Sequence, residues 1–238
     1  GVISGVGGNL VKSGTETLTL SNANTYTGRT TVSDGTLKIT QSDALATASQ
    51  LLVTDTGTVE LANTSLNTLA SLTLQGGGSG LATLTLTGTG AGTAAKYDGE
   101  VTLRGHGRVG ATNSGDTLTL SNLINGFSDG LWVPIITKIG AGTVVLGQSA
   151  PWGGAVVSAG TLKLGADGAF AALTLATGAT LNLNNTSQTV NLLSGNGKIS
   201  FGPDADTGTG TGKLAVGQGE FGGEISGAAL CAIDLHSA

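Results

Sequence analysis

The chain contains a long internal repeat, and that constrains its fold more than any other feature. Lys12-Ser13-Gly14-Thr15-Glu16-Thr17-Leu18-Thr19-Leu20 reads against Lys138-Ile139-Gly140-Ala141-Gly142-Thr143-Val144-Val145-Leu146 as Lys-x-Gly-x-x-Thr followed by an alternating strand. An aromatic residue and a glycine follow in both copies, Tyr26-Thr27-Gly28 and Trp152-Gly153-Gly154. Thr31 to Ile39 then matches Val156 to Leu164, and the offset falls from 126 to 125 residues between the two strands. A weaker echo joins Gly57 to Ser65 with Ala179 to Ser187, and another joins Gly1 to Gly5 with Gly223 to Gly227. A period of this kind calls for a stacked, solenoidal architecture, because one repeat cannot bury its own apolar face.

The local pattern supplies the unit that stacks. Leu18/Leu20, Leu37/Ile39, Val59/Leu61, Leu84/Leu86, Leu118/Leu120, Leu162/Leu164 and Leu181/Leu183 alternate with polar or small residues, as in a strand with one buried face. Gly, Asn, Asp and Ser gather between the strands, where turns need them. The best helical candidate, Asp43 to Gln50, is at most a short turn. Many short strands also fit an antiparallel sandwich. Against that, the series Leu18, Leu37, Val59 and the series Val144, Leu162, Leu181, Ile199 recur every 15 to 22 residues. That distance is one circuit of a coil with two or three strands. Two-residue Asn-Gly and Asp-Gly hairpin signals are few. The expectation is an all-β, right-handed parallel β-helix spanning residues 1–238, right-handed because parallel crossovers are.

Composition agrees. The chain is 39% hydrophobic but only 3% aromatic and 11% charged, so a narrow core of Val, Leu and Ile must hold it. A net charge of −5 leaves no basic stripe for nucleic acid. No apolar run reaches the length of a membrane-spanning helix, so no direct membrane insertion is expected of this segment. Cys231 stands alone, which excludes a disulfide framework.

The run Gly8 to Gly14, Thr17 to Ser21, Asn22 to Gly28 and Thr30 to Leu37 resembles the passenger-associated transport repeat of autotransporters. Copies lie at about 8–39 and 138–164, the second degenerate where Gln148 to Trp152 replaces the Asn-rich turn. The resemblance implies a β-helical passenger displayed at or released from the Gram-negative cell surface, folding from its C-terminal end during export. It also implies a precursor with a C-terminal translocator barrel. Neither a signal peptide nor such a barrel is visible here, and residues 228–238 form an atypical tail, so the chain reads as one segment of a longer passenger.

Candidate chemistry is sparse. A serine-protease triad needs Ser, His and Asp together; Asn113-Ser114-Gly115-Asp116 has similar letters in the wrong order, and His106 and His236 are the only histidines. Glycan-active β-helices need clustered charges on one face, and Asp98, Glu100, Arg104 and Arg108 mix signs in the manner of a surface ion-pair network. Asp204 and Asp206 imitate half of a calcium loop without the remaining ligands. Tyr26 and Trp152 occupy equivalent repeat positions and could stack on sugars or pack over a corner of the coil. Trp132, with Phe127 in the insertion-like stretch 123–134, is the other contact candidate. The sequence reading is a non-enzymatic shaft or adhesin segment, without cofactor or resident metal, whose partners are itself or a host-surface protein or glycan. The competing readings are an export and folding module, or a stalk carrying a protease or glycan-active domain located elsewhere.

Overall fold

In the computed structural model every strand pairing among the described residues runs parallel, and each strand lies on the strand one circuit earlier. The structure describes residues 1–45, 49–66, 71–77, 81–88, 92–125, 134–148, 151–202, 212–227 and 232–235, with backbone alone at 123–125, 151–152 and 232–235. Three faces enclose the core. Face A begins with Leu10–Lys12, Thr30–Val32, Gln50–Thr54 and Ser71–Gly76. Face B begins with Thr17–Leu20, Thr36–Ile39, Thr58–Ala62 and Ala82–Thr87. Face C runs through 94–97, 117–120, Thr143–Leu146, Thr161–Leu164, Thr180–Asn182, Lys198–Ser200 and Glu224–Ser226. The long strand Ala94–Ala111 visits all three faces in turn.

Register puts like on like. Leu37, Val59, Leu84 and Val109 succeed one another inside face B, and Leu118, Val144, Leu162, Leu181 and Ile199 do so inside face C, each 0% exposed. Burying one such side chain is worth roughly 1.5–3 kcal/mol. Rows of them supply the core that the chain's few aromatics cannot. Both series picked out by sequence spacing are therefore real ladders, but on different faces. Around Gln41 to Leu45 the Ala44 N–H donates to the Gln41 carbonyl in a single turn, and no helix occurs among the described residues.

The two repeat copies are out of phase. Ile135–Ile139 stands on residues 106–110, which belong to face B, whereas its counterpart Leu10–Lys12 opens face A. Thr143–Leu146 correspondingly lies on face C while Thr17–Leu20 lies on face B. The second copy is thus turned one face further round the axis. The corner it builds has the same local form and points in a different direction.

Candidate functional site

The repeat signature is a lysine-stapled corner. Lys12 is 6% exposed, and its ammonium donates to the carbonyl oxygens of Ser13 at 3.1 Å, Gly14 at 2.5 Å and Asp34 at 3.0 Å. Lys138 is 0% exposed and donates to the carbonyls of Ile139, Gly140 and Ala159 at 3.0, 2.7 and 2.8 Å. These are the same three positions in both copies: two carbonyls of the lysine's own corner and one from the next rung. An ammonium has three donors, and each finds an acceptor. Burial pushes the Lys138 ammonium down from its ordinary value to about 8.

Glycine makes the corner possible. Gly35 and Gly160 have φ of +63° and +61°, and a Cβ on either would sit 2.3–2.4 Å from a backbone oxygen of the rung below. The weaker echo also holds in backbone conformation, since Asn63 and Asn185 both adopt left-handed φ. The lysine's role was not read from sequence. The signal was there in the paired Lys-x-Gly, since a cation fixed in both copies of a chain that is 11% charged calls for a reason.

Tyr26 is 2% exposed, and its hydroxyl bonds the Thr30 hydroxyl at 2.5 Å inside the corner between faces C and A. Tyr97 does the same work several rungs up: it is 1% exposed and donates to the Glu100 carbonyl at 3.5 Å. Burial, with Glu100 nearby, raises the Tyr97 hydroxyl to about 12. Both tyrosines stand two residues before a glycine, in a shared Tyr-x-Gly spacing. The buried ring of Tyr26 offers no face for a sugar to stack on. Trp152 lies in the strand Pro151–Val157 on the equivalent side of the second copy, and its side chain is outside the described residues. So are Trp132, Phe127, Asp204 and Asp206.

The other candidate clusters separate. Asp116 is 1% exposed, and its carboxylate accepts the N–H groups of Gly88 at 2.9 Å, Thr93 at 3.2 Å and Asn113 at 3.3 Å, with the Asn113 side-chain amide at 2.9 Å. Burial acts to raise its pKa, but these donors outweigh burial and hold the carboxyl below the usual range. It clamps the corner between faces B and C, whereas His106 follows the A–B corner at Gly105, so the two do not meet. Asp98 pairs with Lys96 at 2.9 Å, and among the described residues neither Arg104 nor Arg108 joins an ion pair. The charges at 98–108 are thus spread along one long strand that turns two corners.

One concavity crosses three rungs. Asn9, Val11, Thr27, Gly28, Arg29, Thr31, Ser49 and Gln50 line a groove of about 590 Å³ along the C–A corner, immediately outside buried Tyr26. Its residues are hydroxyls, amides, one guanidinium and an isopropyl group, which can hold a polar ligand but contain no nucleophile–base pair.

Comparison with known proteins agrees with this architecture. The family described as Passenger-associated-transport-repeat matches residues 10–39 and 136–164, the two lysine-stapled corners with their flanking strands. The adhesin BmaC autotransporter of Brucella suis biovar 1 (strain 1330) is 33% identical over 197 residues. That similarity covers 76% of this chain, and the chain spans about 5% of that relative's length. No solved structure matches the chain.

Proposed function

Because the chain is a segment of an autotransporter passenger bearing passenger-associated transport repeats and exported to the Gram-negative cell surface, we propose that it serves there as a non-enzymatic β-helical shaft of an adhesin. Its residues form one continuous β-helix within a longer passenger. The observation that carries the reading is the likeness, over 76% of the chain, to a protein whose name is that of an adhesin. In-register stacking supports it: rows of aliphatic side chains make a stiff rod, and a stiff rod holds contact surfaces away from the membrane. Shape and surface then do the work, through adhesion to a host surface or self-association. The test is in-frame deletion of this segment from its precursor, with surface display and host-cell adherence measured together. Retained display with lost adherence supports the reading, and unchanged adherence contradicts it.

A second reading, an export and folding module, is favoured by one observation. Lys12 and Lys138 each bond a carbonyl of the next rung towards the C-terminus, Asp34 and Ala159 respectively. If the passenger folds from its C-terminal end, that rung is already in place when the lysine arrives. The staple then closes each new corner onto finished structure. Loss of display in the same deletion supports this second reading over the first.

A further inference from the structure

We propose that the groove along the C–A corner is a binding site for an acidic saccharide, one carrying a carboxylate on a polyhydroxyl ring. The inference rests on the adhesin reading and narrows it to one surface and one ligand chemistry.

The groove is built by three successive rungs. Asn9 and Val11 come from the first, Thr27, Gly28, Arg29 and Thr31 from the second, Ser49 and Gln50 from the third. First and third rungs are about 10 Å apart at the spacing of paired strands, room for one or two sugar rings. A volume of about 590 Å³ falls within the ordinary range for small-ligand sites.

Each lining group has a use towards such a ligand. Arg29 is exposed and, among the described residues, lacks an acidic partner, so its planar fork is open to a carboxylate. Asn9, Thr31 and Gln50 bring side-chain donors and acceptors suited to hydroxyls. Val11 is 62% exposed and offers an apolar patch for the C–H face of a ring.

The site is preformed. The Asn9 side-chain oxygen accepts the Arg29 N–H at 2.8 Å, and a Cβ at Gly28 would lie 2.3 Å from that same oxygen. Glycine at 28 therefore lets the first and second rungs approach closely beneath the ligand.

The test is ligand-observed NMR on the whole chain with three probes: 3′-sialyllactose, digalacturonate and neutral lactose. At least one acidic probe binds and lactose does not; which one binds separates a sialic-acid from a uronic-acid ligand. Arg29→Gln weakens that binding by about tenfold or more, and Thr31→Trp, which fills the groove, abolishes it, both variants keeping the parent circular dichroism spectrum. Failure of both acidic probes to bind up to about 10 mM overturns the site, as does equal binding of lactose or binding indifferent to Arg29→Gln. Adherence distinguishes the two levels of the argument. A precursor bearing Arg29→Gln that adheres normally removes the groove while leaving the adhesin reading intact.

Discussion

At the scale of single residues, the second repeat corner buries a lysine without a carboxylate partner. Lys138 exchanges water for three carbonyl oxygens, and burial brings its folded value to about 8 from 10.5. Between those values the unfolded chain holds a proton that the folded chain has released. Stability from this group therefore rises with pH across that window and is flat below it. Urea unfolding of the parent and of Lys138→Met from pH 7 to pH 10 checks the sign. The parent should gain on the variant by up to about 3 kcal/mol as pH increases. Tyr97 acts oppositely, since its value is raised to about 12: the unfolded phenol ionises first, and stability falls as pH climbs from 10 towards 12. Absorbance of tyrosinate should show the late titration in the native protein and lose it in urea. Glycine substitution is a third test. Gly35→Ala and Gly160→Ala each force a side chain into left-handed backbone, at about 1–2 kcal/mol, and also against a carbonyl oxygen. Both should lower the melting temperature clearly, whereas Gly178→Ala, also at positive φ but with nothing within 4 Å of the added carbon, should pay only the conformational term.

At the scale of strands and corners, much was legible from the sequence and some was not. Period-two alternation located the inward rows, because a strand with one buried face leaves no other pattern. The spacing of Leu18, Leu37 and Val59 gave the length of a circuit, and the register confirms those partners. What spacing cannot show is which face a strand joins. A rung may be lengthened at a corner without disturbing any alternation, so the one-face rotation between the copies left no local trace. The Asp116 corner is a second case. Its letters resemble a catalytic loop, but the carboxylate instead ties the N–H groups of Gly88, Thr93 and Asn113 together. Asp116→Ala should loosen that corner and raise amide hydrogen exchange at Gly88, Thr93 and Asn113, leaving the Lys138 corner protected. Tyr26 is legible as an aromatic at a fixed repeat position, but a corner breaks the alternation that would tell inward from outward, and its ring faces inward while its neighbours line the groove.

At the scale of the whole molecule, the chain is a ladder whose rungs are near-equivalent units, so it should tolerate loss of a whole rung better than loss of part of one. Thr161 lies in register with Thr180, and deleting residues 161–179 joins Gly160 to Thr180 with every face still in order. That variant should keep a cooperative β-sheet transition, while deletion of 161–170 should not. Spin-label distances read the stacking itself. With Cys231 replaced by serine, label pairs are placed at Thr36 and Thr137, then at Thr17 and Thr137. All three residues belong to one outward row of face B, with Thr58, Thr83 and Arg108 between them. The parallel ladder predicts separations of about 19 Å and about 24 Å, differing by one strand spacing of about 4.8 Å. Equal distances, or a shorter one for the Thr17 pair, would contradict it.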